Sequence, residues 1–296
     1  MDSSIIWQLA ASGLLIGGVY ALISIGLTLI FGVMRIVNFA HGEFLMASMF
    51  AAYWIHELTG LTPYWSAPLI GLLMFGFGAL THRLIISRTL NSPMVVQIFA
   101  TVGLGLAMQN LALVFFSGDY RTIRAAAAQA VVRFGPVQVS QSLVAAFGVA
   151  VVVSALLLAF VSWTYPGLAI RATVQNRVAA RLYGINIERV HLWTFALGSG
   201  LVGLAGALIS MTYPIYPSAG QNFGLASFVV VVLGGMGSMT GALVGGLLIG
   251  LVETVSGFLI GDDLKKAVYF VMFILVLTLR PTGLFGRRGS EEIGIK

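Results

Sequence analysis

The chain has 296 residues, of which 58% are hydrophobic and only 9% are charged, and its formal net charge is +6. A soluble domain carries roughly 25% charged residues, so this composition excludes a soluble fold and indicates an all-α polytopic membrane protein. The chain has no cysteine, which excludes disulfides, thiolate metal sites and cysteine nucleophiles.

Apolar stretches of about the length of a membrane helix follow one another along the whole chain. They are Ile5–Val33, Phe44–Leu58, Tyr64–Leu84, Met94–Phe116, Ser142–Val161, His191–Met211, Phe223–Met236, Ala242–Ile260 and Ala267–Leu279. Gly17 and Gly18 offer a break in the first, and a glycine cluster at 234–241 divides 223–260 into two passes, or one pass and a re-entrant piece. We therefore predict about eight to ten spans in one transmembrane domain, residues 1–296.

The placement of basic residues predicts the orientation of these spans. Arg83 and Arg88 precede the segment 163–190 by two spans, so both loops are expected on one side. The abundance of arginine in 163–190 predicts that this side is cytoplasmic, since positively charged loops stay inside. The loop 117–141 is then periplasmic despite its own arginines. The tail 280–296 is cytoplasmic if 223–260 crosses twice.

The segment 163–190, WTYPGLAIRATVQNRVAARLYGINIERV, is a polar island between lipid-soluble runs. Four arginines (Arg171, Arg177, Arg181, Arg189) stand against one acid. Apolar residues at helical spacing predict one short surface helix near Gln175–Leu182, ended by Gly184. We interpret it as a docking helix that transmits force from a cytoplasmic partner. The alternative is a basic loop held at the anionic membrane surface.

Asn38, His41 and Glu43 form a polar motif beside an apolar span, and such groups are costly in lipid unless paired or hydrated. One interpretation is a loop or broken helix on a translocation path. The other is an interfacial cap, in which Asn38 begins a helix and Glu43 lies favourably in its first turn.

Gly234, Gly235 and Gly237 form a second motif, since glycine permits both turns and close helix approach. They indicate either a hinge near the substrate path or tight packing. They are not a phosphate loop, because no G-x-x-x-x-G-K-[ST] occurs. A weak similarity exists between two segments, GLLIGGVYALISIGLTLIFG (13–32) and GALVGGLLIGLVE (241–253). It indicates either an internal repeat or a chance likeness of two glycine-rich helices.

Isolated polar residues complete the candidates. Glu253 lies near the end of an apolar run with no obvious Arg or Lys partner inside a span, so an interfacial position is favoured over proton coupling. Gln97, Gln109 and Asn110 hydrogen-bond between helices as often as they bind solutes. The histidines show no metal-ligand spacing, and we assign no metal.

Five segments, in order, resemble the permease subunits of bacterial branched-chain amino acid ABC transporters, the Liv type. The segments are GGVYALISIGLTLIFGVMRIVNFAHGEFLMASMFAAY (17–53), ATVGLGLAMQNL (100–111), RATVQNRVAARLYGINIERVHLWTFALGSGLVGLAGAL (171–208), VVVVLGGMGSMTGALVGGLLIGLVE (229–253) and RPTGLFG (280–286). They spread over nearly the whole chain.

The resemblance implies an ATP-driven, binding-protein-dependent importer of the inner membrane. The expected partners are a second, related permease subunit, two cytoplasmic ATPase subunits that bind ATP and Mg²⁺, a periplasmic solute-binding protein and membrane lipid, but no nucleic acid. This subunit itself would be non-catalytic and hold no cofactor. The family's docking segment maps onto 171–188, with these expected coupling residues: Arg171, Arg177, Ala179, Ala180, Arg181, Gly184, Ile185 and Asn186.

The candidate pathway residues are Asn38, His41 and Glu43, with Gly234, Gly235 and Gly237. Related permeases move urea or short-chain amides, and no residue decides among branched-chain amino acids, other amino acids and these solutes. An ion-coupled secondary transporter is the alternative from another class, and it would need buried coupling carboxylates. An intramembrane enzyme would need a paired nucleophile and base or a set of metal ligands, and this sequence offers neither.

Overall fold

The computed structural model describes residues 3–125, 130–262 and 264–286. The helices are α1 Ser3–Met34, α2 His41–Thr59, α3 Pro63–Thr81, α4 Met94–Phe116, α5 Gln141–Trp163, α6 Tyr165–Gln175, α7 Arg177–Leu182, α8 Ile187–Ile209, α9 Ala219–Gly234, α10 Met239–Ile260 and α11 Lys265–Leu279. A π-helical turn, His82–Ile86, and a last helical turn, Ser87–Thr89, extend α3. The antiparallel hairpin β1 Val131–Phe134 and β2 Val137–Ser140 precedes α5.

The described residues contain six helices long and apolar enough to cross a membrane: α1, α3 with its extension, α4, α5, α8 and α10. This is fewer than the predicted eight to ten spans. Of the other helices, α9 and α11 are shorter, with 16 and 15 residues, whereas α2 has 19 residues but carries two histidines and two glutamates. The polytopic α-helical class is confirmed. Most of the predicted tail, residues 287–296, lies outside the described residues.

The longest helix, α1, packs antiparallel along α10 through small residues. A methyl group at Gly17 would lie 2.8 Å from the Gly246 carbonyl oxygen, and one at Gly13 would lie 2.9 Å from Leu251 Cα. Only glycine permits such backbone proximity, which is the usual means of holding helices together in lipid. The two similar glycine-rich segments of the sequence are therefore the two sides of one helix interface.

The predicted break at Gly17 and Gly18 is wrong, because α1 is continuous through both residues. Gly18 faces the ring of Phe147 on α5 so closely that a side chain there would overlap it. Gly17 faces α10. Both glycines serve packing, and neither one turns the backbone.

The two ends of the bundle carry different structures. At the hairpin end, Gln8 near the start of α1 donates to the Gln138 carbonyl oxygen of β2 at 2.8 Å. At the opposite end, which we call the α7 end, Arg177 of α7 reaches the end of α1. The ring of His82, at the end of α3, lies 5.9 Å from that of Phe195 near the start of α8, so the extension of α3 also lies towards the α7 end.

Two helices begin inside the bundle. The first residue of α2, His41, donates through Nε2 to the carbonyl oxygen of Ile23, in the middle of α1, at 3.1 Å. The first turn of α9 meets the first turn of α2, where Gly42 and Gly220 lie in backbone contact. The described core surrounds this crossing, with Phe44 and Phe195 almost fully buried. Thus α2 and α9 each start at an interior level and run to opposite ends.

Candidate translocation and coupling sites

The interior crossing of α2 and α9 carries polar groups that are not satisfied by the described protein. Asn38 is 3% exposed, and its Oδ1 accepts from Ala40 N at 3.2 Å while its Nδ2 has no partner. His41 is 2% exposed, and its Nδ1 also lacks a partner. Each unpaired buried group of this kind costs about 1–3 kcal/mol. The chain retains them where two helices begin.

Glu43 occupies the third position of α2, between α4 and α9. It is 5% exposed, and its Oε2 has no hydrogen-bond partner among the described residues. A methyl group at Gly220 would lie 2.7 Å from this oxygen, and one at Gly105 would lie 3.6 Å from Glu43 Cγ. The absence of a side chain at Gly220 and at Gly105 thus leaves space for the carboxylate. Asn38, His41 and Glu43 are therefore adjacent in the fold as well as in the sequence.

An exposed polar bridge lies beside this carboxylate. Gln221, next to Gly220 on α9, donates to Gln109 Oε1 on α4 at 3.1 Å. Gln109 is one turn after Gly105, so the bridge joins the two helices that flank Glu43. Asn110 instead bonds the Leu106 carbonyl of its own helix. For Gln109, the sequence left helix packing and solute binding as alternatives. The structure shows that its side chain forms a hydrogen bond between two helices.

The glycine motif lies elsewhere, in the turn between α9 and α10 at the α7 end. Gly235 has φ +104° and Gly237 φ +85°, a left-handed backbone that favours glycine. Leu284 N donates to the Leu233 carbonyl at 2.8 Å, and Phe285 N to that of Gly234 at 3.0 Å. The segment 280–286 therefore covers this turn, and the structure does not bring Gly234, Gly235 and Gly237 to the interior polar groups.

The polar island contains two helices where one was predicted. Thr164 caps α6, accepting from Gly167 N at 3.2 Å, and Asn176 caps α7, accepting from Ala179 N at 3.0 Å. Asn176 has φ −156°, so the chain is extended between the helices. The predicted start at Gln175 is wrong because these local side-chain caps divide the segment. Gly184, at φ +82°, follows α7 as predicted.

The predicted coupling residues separate into different environments. Ala180 is buried, and Ile185 packs against the core. Ala179 is half-buried, and Asn186 caps α8 by accepting from Arg189 N at 3.0 Å. Arg181 and Gly184 are exposed, and Arg171 donates to the Ser162 carbonyl at 2.9 Å. Only some of these side chains are free to meet another subunit.

Arg177 links the polar island to α1. Its Nη2 donates at 2.7 Å to the carbonyl oxygen of Val33, in the last turn of α1. Burial, and to a smaller extent the nearby Arg35 guanidinium, lower the pKa of Arg177 from its ordinary value. The guanidinium nevertheless stays charged at neutral pH. A cation at this position is stabilised by the negative, carboxyl-terminal end of the α1 dipole.

Apolar side chains on and after α7 are strongly exposed, and the sequence analysis did not single them out. Val178 is 73% exposed, Leu182 83% and Tyr183 88%. They lie in the polar island, where Arg181 and Arg189 are also exposed. A cluster of exposed apolar residues with a basic rim is typical of a protein interface. The helical spacing of apolar residues in this segment was the sequence pattern that could have indicated an exposed apolar surface.

Glu253 has a basic partner that the sequence did not reveal. Lys265 Nζ lies 3.4 Å from Glu253 Oε1 and 3.0 Å from Asp262 Oδ1. Lys265 begins α11, which therefore folds back along α10. The neighbouring Lys266 donates to Asn222 Oδ1 on α9 at 2.6 Å. These contacts anchor the start of α11 to two helices.

Comparison with known proteins finds relatives over nearly the whole chain. A family model described as branched-chain amino acid transport system / permease component matches residues 9–277. The chain is similar to the high-affinity branched-chain amino acid transport system permease protein BraD of Pseudomonas aeruginosa, with 31% identity over 97% of each chain. It is 31% identical to the LivH permease protein of Escherichia coli, over 95% of this chain and 96% of LivH. A LivH permease protein of Methanocaldococcus jannaschii is 26% identical over 90% of this chain and 88% of that protein. No solved structure matches significantly.

Proposed function

Because this chain belongs to the family of permease components of branched-chain amino acid transport systems, we propose that it imports branched-chain amino acids as the membrane subunit of an ATP-driven transporter of the inner membrane. The observation that carries the proposal is the 31% identity with BraD over 97% of both chains. The relatives' substrates favour amino acids over urea or amides. The function predicted from the sequence agrees with this family.

The chain does no covalent chemistry in this scheme. A second, related permease forms the other half of the pathway, and two ATPase subunits dock at the α7 end, which is cytoplasmic. A binding protein delivers the solute at the hairpin end. The loop 117–141 lies at that end, and its residues 126–129 are outside the described part of the chain.

We assign α7 as the helix that receives the ATPase. Its exposed Val178, Leu182 and Tyr183 supply the apolar surface, and Arg181 supplies charge at the rim. The buried Ala180 and the packed Ile185 hold α7 against the bundle. The predicted coupling residues therefore divide into two groups: those that contact the ATPase and those that transmit its movement to the membrane helices.

Arg177 is the connection that carries this motion inward. Its hydrogen bond to Val33 joins α7 to the end of α1. Residues 35–40, which include Asn38, continue from α1 directly into the first turn of α2, where His41 and Glu43 lie. A displacement of α7 thus reaches the interior polar groups through one hydrogen bond and six residues of chain. Nucleotide must favour one state by several kcal/mol, about 5 for a full switch, to invert the populations.

Reconstitution tests the proposed function. The complete transporter in proteoliposomes should accumulate leucine only with ATP and loaded binding protein, whereas this chain alone should accumulate none. Uptake by the chain alone, driven by a proton or sodium gradient, would instead support a secondary transporter. Glu253, the other carboxylate available to such a transporter, is already paired with Lys265.

A further inference from the structure

Glu43 is buried, and none of the described basic side chains forms a salt bridge with its carboxyl group. It lies in the first turn of α2 and beside the first turn of α9, and the amino ends of two helices both favour a negative charge. The salt bridges among the described residues involve Glu253 and Asp262 but not Glu43. A buried carboxyl group without a protein partner either holds a proton or pairs with a cation from elsewhere.

The geometry around the carboxylate leaves space for such a cation. Gly220 and Gly105 line it from α9 and α4 without side chains. If Glu43 were only a helix cap, its free oxygen would accept a backbone N–H, yet Oε2 has no partner in the described chain. The position is therefore poorly explained by capping alone.

Glu43 also lies next to a surface that a solute can reach. The bridge between Gln109 and Gln221 is exposed, although it lies at the depth where α2 and α9 begin. Exposed amides at this depth are unfavourable against lipid and suit a hydrated pathway. Most of α4 is not buried by the rest of the chain, so little besides this bridge holds α4 against α9.

We propose that Glu43 is the site that binds the ammonium group of the solute during translocation, behind a gate formed by Gln109 and Gln221. The ligand class is a primary ammonium compound with an apolar side chain. The inference rests on the proposed function, because it assumes that the solute passes this bridge. An ammonium group donates three hydrogen bonds and matches an unpaired carboxylate oxygen.

Transport by the reconstituted complete transporter is the first test. Glu43→Gln keeps the shape but removes the charge, and we expect leucine uptake to fall about 10- to 100-fold, as for loss of a charge-assisted hydrogen bond. ATP hydrolysis stimulated by the binding protein should persist. Glu43→Asp should recover part of the uptake. Glu57→Gln, an exposed carboxylate at the other end of α2, is the matched control and should transport normally.

Thiol labelling provides a second test that does not depend on transport. The chain has no cysteine, so Gln221→Cys introduces a unique thiol in it beside Glu43. Leucine and 3-methylbutylamine, which carry an ammonium group, should slow its labelling by a maleimide, whereas 4-methylpentanoate should not. Adding Glu43→Gln to the same chain should abolish the protection.

The outcomes separate the two proposals. Normal uptake by Glu43→Gln, loss of its ATP hydrolysis together with uptake, or protection by 4-methylpentanoate but not the amine would each overturn the ammonium site. If the wild-type transporter shows no ATP-dependent uptake, the proposed function fails. Protection by the amine then still supports the site, and its absence overturns it.

Discussion

The bond from Arg177 to Val33 predicts a specific coupling defect. Arg177→Ala removes a 2.7 Å hydrogen bond between a guanidinium and the last turn of α1. Hydrogen bonds from charged groups contribute about 1.5–3 kcal/mol, and since this bond is only partly buried we take the lower value of about 1.5. A loss of that size corresponds to about a tenfold change in an equilibrium. The number of leucine molecules imported per ATP hydrolysed should therefore fall about tenfold.

The assay measures uptake and phosphate release together in proteoliposomes containing all subunits. ATP hydrolysis should remain near the wild-type rate, because the proposed role of Arg177 is to hold α7 to α1 and not to contact the ATPase. Arg177→Lys should have an intermediate effect, since it keeps the charge but loses the planar donor group. Arg124→Ala at the hairpin end removes a comparable exposed charge and serves as the control. A wild-type ratio of import to hydrolysis in Arg177→Ala would refute the link through Val33.

Three further predictions concern stability and local structure. Gly17→Leu places a side chain against the Gly246 carbonyl oxygen, so the yield of folded protein in size-exclusion chromatography should fall sharply. Asn176→Ala removes the cap of α7 and should cost about 1 kcal/mol, detected as faster proteolysis of the polar island while the membrane helices stay intact. Lys265→Ala should lower the melting temperature, and Glu253→Gln in the same chain should restore part of it, because the pair contributes about 1 kcal/mol.

Matched variants define what would contradict these expectations. Gly103→Leu adds the same side chain where nothing lies within 4 Å, and it should fold normally. Equal yields for Gly17→Leu and Gly103→Leu would exclude the α1–α10 interface. Asn91→Ala changes an exposed loop asparagine, and equal proteolysis of both asparagine variants would exclude the cap. Equal melting temperatures of Lys265→Ala and the double variant would exclude the ion pair.

Apolar length was enough to predict most helices from the sequence. The stretch Met94–Phe116 was predicted with the bounds that the structure shows, and Ala242–Ile260 ends where α10 ends. These helices start and stop where long apolar runs meet polar loops. Glycine caps such as Gly184 were also recognisable, because a left-handed residue after a helix favours glycine.

The depth of a helix could not be predicted in this way. Hydropathy reports that the stretch Phe44–Leu58 is apolar, but not that α2 begins beside Ile23 in the interior. Tertiary contacts between Gly42 and Gly220 set that level, and the two glycines are far apart in the sequence. The predicted eight to ten spans stay a prediction, since only six helices of the described residues are long and apolar enough to cross a membrane.

Polar partners were the other feature that the sequence could not supply. Arg177 bonds a carbonyl 144 residues away, and a backbone acceptor leaves no trace in residue types. Lys265 lies outside the predicted apolar stretches, and only the fold shows that it reaches Glu253. The residues of the interior motif were recognised as unusual, but only the fold shows which of their atoms are unpaired.

The antiparallel contact between α1 and α10 sets a delay during synthesis. Gly17 is made 229 residues before Gly246, as their positions in the sequence require. At roughly 5–20 residues per second, α1 waits about 10–45 seconds in the bilayer before its main neighbour leaves the ribosome. During that interval its glycine face is open to any other small-residue helix. Correct biogenesis therefore depends on α1 being occupied or shielded until translation is nearly complete.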